Sequence, residues 1–287
     1  MTVDIHQHLW PEQFVVALGR RTAPPYLDGV ELVLREGRFA IDLEQNRLER
    51  RLAVLDADGV DVAVISLQPT LGTGDLPARQ REELEQIWLD GVREVVAASD
   101  GRLLAFAPGR REEGFAGTSL EARALDDLDA VGPLLDELER HSTPLFVHPG
   151  APAAPPTDRP SWWTAVVDYP AQMHGAYYRW LSAGRERWPS LRVAFAILAG
   201  GAPFQLERLG QRGPDTRSIL DPNTYLDVAT YARRSIELCA QAFGVEHLLY
   251  GSDRPVVEPI QTLQALRGFG ESVVKIVSID NPRTFLG

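Results

Sequence analysis

Two hydrophobic rhythms alternate along this chain of 287 residues. Short apolar runs at Thr2–His8, Val60–Gln68, Leu103–Pro108, Phe115–Leu120, Pro144–Pro149, Leu191–Leu198, Thr224–Ala229 and His247–Ser252 read as strands. Between them apolar residues recur three or four positions apart. Glu12–Arg20 places Phe14, Val15 and Leu18 on one helical face, and Leu43–Ala57 does so with Leu48, Leu52 and Leu55. Pro77–Ser99 predicts a long helix that tolerates its early proline. Further helices are expected over Leu125–His141, Ser161–Arg187, Pro203–Gln211, Arg233–Phe243, Pro259–Arg267 and Glu271–Leu286. Two stretches fall outside the rhythm: Glu31–Ile41 reads as a hairpin turning at Glu36-Gly37, and Gly150–Pro160 as a Pro/Ala loop.

Strands that alternate with helices demand a parallel sheet covered by helices. Eight such repeats without a composition break predict one domain over residues 1–287, an α/β fold of the (β/α)8 TIM-barrel type. At this length roughly three quarters of the unfolded surface can be buried, so a large core is available. An open doubly wound sheet would place a glycine-rich phosphate loop after the first strand, where Trp10-Pro11-Glu12 stands instead.

In such a barrel the working residues sit at the C-terminal ends of the strands. Side chains at i and i+2 of a strand share a face, so His6 and His8 in Asp4-Ile5-His6-Gln7-His8 project side by side. Both imidazoles then reach one metal ion at roughly 2.0–2.1 Å. Asp4 shares that face and is placed to orient a ligand from behind. His148 ends the fifth strand and Asp253 follows the eighth. Three imidazoles and a carboxylate suit one divalent first-row metal with room left for a water. Asp253 would ligate the metal or take the proton of that water, although a carboxylate after a strand is often only a helix cap.

The other histidines sort differently. His247 opens the eighth strand and belongs at the opposite face, and His141 ends a helix, where its charge meets the dipole. His174 lies in the segment after the fifth strand that would cover the mouth, as a packed side chain or as an acid/base. Arg254 is placed either to clamp a substrate carboxylate or to start a surface helix. Trp10, Trp162, Trp163 and Tyr169, in mouth loops, would face a flat or apolar ligand or pack beneath those loops.

Composition narrows the partners. A formal charge of −11 argues against nucleic acid and against an anionic membrane surface. The longest apolar-rich run, Val193–Phe204, is too short to span a bilayer, and nothing near Met1 resembles a signal segment, so a soluble cytoplasmic protein is expected. Cys239, the single cysteine, excludes an intrachain disulfide and reads as core, and Lys275 is the single lysine.

Asp4-Ile5-His6-Gln7-His8, Phe146-Val147-His148-Pro149-Gly150, Gly200-Gly201-Ala202-Pro203-Phe204-Gln205-Leu206-Glu207-Arg208-Leu209 and Tyr250-Gly251-Ser252-Asp253-Arg254-Pro255, with Asn281-Pro282, resemble the amidohydrolase-related family. This part of the amidohydrolase superfamily includes aminocarboxymuconate-semialdehyde decarboxylase and the resorcylate-type decarboxylases. The likeness runs through the whole chain in order. It implies a mononuclear metal barrel with His6, His8 and His148 as ligands and Asp253 as the strand-eight carboxylate. It also implies zinc as the usual metal, manganese or iron as alternatives, and a homodimer. Binuclear members commonly bridge their metals through a carboxylated lysine after strand four, and Lys275 lies far too late for that.

One position departs from the pattern. Where the family has a histidine after strand six, this chain has Ile197 or a near neighbour, and isoleucine neither ligates a metal nor moves a proton. Decarboxylation needs a proton delivered to carbon. The expected function is therefore metal-dependent hydrolysis of an amide, ester or lactone of a small organic acid. In it a metal-activated water attacks, Asp253 is the base, and Arg254, Trp10 and Trp162 hold the substrate. The alternatives are non-oxidative decarboxylation of a small aromatic or unsaturated acid with His174 as donor, and a ligand-binding barrel without turnover.

Overall fold

The computed structural model describes residues 1–153, 158–213 and 221–287. Part of the Gly150–Pro160 loop, residues 154–157, lies outside the described residues. Eleven strands occur among them, in chain order β1 (Val3–His8), β2 (Tyr26–Asp28), β3 (Glu31–Leu34), β4 (Gly37–Ala40), β5 (Val62–Ser66), β6 (Leu103–Pro108), β7 (Gly117–Glu121), β8 (Leu145–His148), β9 (Val193–Phe195), β10 (Thr224–Asp227) and β11 (Leu248–Leu249). Strands β1 and β5 to β11 form one parallel sheet in that spatial order. The sheet closes on itself: Ile5 N donates to the Tyr250 carbonyl at 3.0 Å, Asp253 N to that of His6 at 2.8 Å, and His8 N to that of Arg254 at 2.7 Å. The result is the predicted (β/α)8 barrel.

The strands are buried on both faces, as a parallel sheet inside a helical layer requires, and the core fills the barrel and the shell around it. The covering helices include α1 (Glu12–Gly19), α2 (Leu48–Asp58), α3 (Ala78–Ala98), α4 (Leu128–Arg140) and α5 (Tyr169–Arg179). Asp127 caps α4 by accepting from the Asp129 and Ala130 amides, and Gly59 ends α2 in the left-handed conformation. The α5 helix continues through π-type turns on either side, so Thr164–Arg187 is one helical run as the apolar spacing predicts. His141 ends α4 as predicted. His247, at the base of β11, bonds the Thr224 carbonyl at 2.9 Å, far from the mouth.

Two details depart from the sequence reading. No helix separates β6 from β7, because the connection Gly109–Ala116 is too short to form one. The hairpin at Glu31–Ile41 gains a third strand, β2, to make an antiparallel sheet in the order β2-β3-β4. None of the described helices is long and apolar enough to cross a membrane.

Candidate metal centre

His6 and His8 end β1, and the alternation that aims them together is visible in their Nε2 atoms, 3.2 Å apart. Each imidazole of the group is fixed from behind at Nδ1. His6 meets Asp227 Oδ2 at 2.6 Å, His8 the Ser66 carbonyl at 3.1 Å, and His148 the Pro149 carbonyl at 2.9 Å. Carbonyl and carboxylate oxygens accept only, so each ring carries a proton on Nδ1 and turns Nε2 inward. Asp253 completes the group, with Oδ1 3.2 Å from His8 Nε2 and 3.5 Å from His6 Nε2. The four ligand atoms lie within 4.8 Å of one another.

The donor set fits a divalent ion. The His6 and His8 Nε2 atoms meet at 3.2 Å, a separation bridged by the proton His6 carries or by a cation that displaces it. Nitrogens bound tetrahedrally at about 2.0–2.1 Å sit about 3.3 Å apart, close to that separation. The carboxylate supplies the hard fourth ligand.

Electrostatics sharpens the picture. Burial opposes a charge on His6, yet Asp227 and Asp253 push its pKa up to about 9. Burial and the charge on His6 instead lower His8, and His148 falls further. Burial works to raise Asp253 as well, but His6 and the bond to His8 hold it below the usual carboxylate range.

The polar layer beneath is equally ordered. Asp4 is fully buried, and burial lifts its pKa to about 6. It touches neither ring. The strand shifts register between Asp4 and Gln7, and the Asp4 carboxylate instead accepts the His6 and Ser252 amides at 3.1 and 3.0 Å and Gln7 Nε2 at 2.7 Å. Gln7 in turn accepts from the buried Arg51, which also donates to the His8 carbonyl at 2.9 Å. Asp4 thus shapes the backbone of β1, and the carboxylate behind His6 is Asp227. Gly251 makes that possible, since a Cβ there would overlap Asp227 Oδ1 and crowd His6 Cβ.

Above the group opens a cavity of about 540 Å³. Its walls include His8, Trp10, the tip and inner face of the β3–β4 hairpin, and Pro160, Thr164, Ala165 and Tyr169. Of the four grouped side chains His8 lines this cavity, and the chain matches a family model described as Amidohydrolase over residues 3–287. The chain belongs to the amidohydrolase family.

No curated protein matches this amidohydrolase by sequence. Solved structures share its fold. IDCase from Metarhizium anisopliae, in apo form, is 20% identical with a TM-score of 0.82, covering 100% of this chain and 97% of its own. The 5-carboxyvanillate decarboxylase LigW2 from Novosphingobium aromaticivorans, holding manganese and 3-methoxy-4-hydroxy-5-nitrobenzoic acid, is 18% identical with a TM-score of 0.78, covering 100% and 97%. The 2,6-dihydroxybenzoate decarboxylase from Rhizobium is 15% identical with a TM-score of 0.73, covering 99% and 98%.

The remaining candidate residues separate. Trp10 lines the cavity, its indole N–H donating to Gln68 Oε1 at 2.6 Å. Trp162 is 54% exposed, stacks on Trp163 and does not line the cavity. His174 packs on Tyr178 with ring centroids 4.9 Å apart, outside both the ligand group and the cavity wall. Arg254 turns away from the mouth: its guanidinium pairs with Asp58 at 2.6 Å and Glu258 at 3.0 Å, so it is already committed. At the end of β9, Ile197, Leu198, Ala199 and Gly200 take φ values of 47°, 51°, 50° and 63°, a left-handed turn built mostly from aliphatic residues.

Proposed function

We propose that this protein is a metal-dependent hydrolase of a small amide, ester or lactone, with one divalent ion held by His6, His8, His148 and Asp253. The observation that carries the reading is the inward convergence of three Nε2 atoms, each ring held at Nδ1, beside an ionised carboxylate, under a largely apolar cavity. A divalent ion in that set polarises a carbonyl and brings the pKa of bound water to about 7. The protein's own groups do the rest. Asp253, kept ionised by its imidazole neighbours, is a base and not a resting acid, and it accepts the proton of the attacking water. It then returns that proton to the leaving group. Asp227 and the Ser66 and Pro149 carbonyls stop the three rings from turning. Trp10 and the hairpin face exclude bulk water from the reacting carbonyl. Zinc suits this donor set, and manganese shares the preference for carboxylate and imidazole.

A second reading, decarboxylation of a small aromatic acid, is supported by structures of this fold named as decarboxylases, one of them with manganese and a nitrobenzoic acid. It lacks a resting acid here, since Ile197 is aliphatic and His174 lies off the cavity wall. Parallel assays of zinc- and manganese-loaded protein separate the two. Ester, lactone or amide cleavage that Asp253→Asn removes while bound metal remains is the expected result. Carbon dioxide release from aromatic acids without any hydrolysis overturns the first reading.

A further inference from the structure

The hairpin inserted between α1 and α2 takes no part in the metal centre, yet it builds much of the cavity wall through Leu32, Leu34, Glu36, Arg38 and Phe39. Only Glu36 among these brings a carboxylate. Its Oε1 accepts the Tyr169 hydroxyl at 2.9 Å, a bond that ties the hairpin tip to the start of α5. Its Oε2 is buried and has no hydrogen-bond partner. A buried acceptor left without a donor costs free energy, so such an atom in a ligand cavity marks a place where the ligand brings the donor. The cations on the same wall are committed elsewhere: Arg159 to Asp168 at 3.4 Å, and Arg38 to Glu31 at 2.8 Å and Asp28 at 3.2 Å. The rest of the lining mixes apolar residues such as Trp10, Leu71, Ala165 and Val256 with polar ones such as Asp42 and Gln45. Burial, and to a smaller degree Asp168, raise the Glu36 pKa, which a neutral donor tolerates better than a second anion would.

We infer that Glu36, held by Tyr169, is the specificity-determining acceptor for a hydroxyl or amide N–H carried on the apolar frame of the substrate. The inference rests on the proposed use of this cavity for substrate. It narrows the substrate class to compounds that carry a hydroxyl or amide N–H donor, and it gives the hairpin a function.

The test is binding, read by calorimetry on zinc-loaded protein with two ligands of one shape, 2-naphthol and 2-methoxynaphthalene, of which only the first carries a donor. The expected result is a preference for 2-naphthol of about tenfold, the size of one hydrogen bond to a buried carboxylate. Glu36→Leu and Glu36→Gln should each erase that preference and leave 2-methoxynaphthalene binding unchanged, which also reports an intact cavity. Tyr169→Phe should keep the preference, because it frees a second acceptor oxygen. A preference that survives in both Glu36 variants, or is missing from the unaltered protein, overturns the inference. If Glu36→Leu binds neither ligand, Glu36→Gln, which can still receive the Tyr169 hydroxyl, decides alone. Binding needs no turnover, so loss of the Glu36 effect leaves the hydrolase reading standing, and absence of hydrolysis leaves the Glu36 effect measurable.

Discussion

The ends of β1 and β9 face the same mouth and differ in almost everything else. At the end of β1 the chain spends buried polar groups freely: two imidazoles, a carboxylate behind one of them, and a fully buried Asp4 and Arg51 that fix the backbone. At the end of β9 it spends backbone strain, with three non-glycine residues in the left-handed region and no ionisable side chain among them. Both are costly, at about 1–3 kcal/mol for each unusual backbone position. Only the first arrangement offers chemistry. A barrel position supplies an opportunity, and the side chain decides whether it is used.

Five experiments press on that contrast. His8→Ala removes one of the inward nitrogens and should bring bound metal, read by elemental analysis, from about one equivalent to less than about a tenth. Gly200→Ala acts on the other end. A Cβ there would overlap the Pro170 carbonyl oxygen at the start of α5, so urea unfolding should show a loss of about 3 kcal/mol or more, with metal affinity unchanged in the folded fraction.

Asp227→Asn leaves the ligands intact and loosens His6 from behind, which should weaken metal binding about 10- to 100-fold by chelator competition without unfolding the barrel. The fourth concerns pH. In the metal-free protein the His6 pKa stands at about 9, so below that value an ion must displace a proton. Affinity should therefore fall about tenfold for each pH unit lowered from pH 8 to pH 7, with proton release visible in buffers of different ionisation enthalpy. A flat profile would show that His6 holds no proton for the ion to displace. The smallest effect belongs to Ala199→Gly. Relief of a left-handed alanine and loss of its buried methyl nearly cancel, so stability should change by no more than about 1 kcal/mol.

The sequence made the barrel legible because its two periodicities differ, 2 for strands and 3.6 for helices, and they alternate without a break. The β1 ligands were legible for the same reason, since spacing alone aims His6 and His8 together. Asp227 escaped, although the signal was present: a lone carboxylate at the C-terminal end of the apolar strand Thr224–Ala229 is as conspicuous as Asp253. Asp4 drew attention instead, on a simple alternation that a register shift inside β1 breaks. Arg254 misled through adjacency. Asp253 takes a left-handed φ of 59°, so the chain turns between the two residues, and the Arg254 guanidinium reaches Asp58. No local pattern announces the approach of Tyr169 to Glu36, which joins residues 133 positions apart.

The seam that closes the barrel has a consequence in time. Asp253 N bonds the His6 carbonyl, and His8 N bonds that of Arg254, so the first strand and the last are stitched at the same residues that supply the ligands. An ion seated there is a clasp across almost the whole length of the polypeptide. A ribosome that has delivered His6 and His8 must still deliver nearly everything else before the clasp can shut. With the proposed ligands, metal acquisition would be a late event in the life of each molecule, and a chain cut short before Asp253 would leave the seam open and two histidines without their partner.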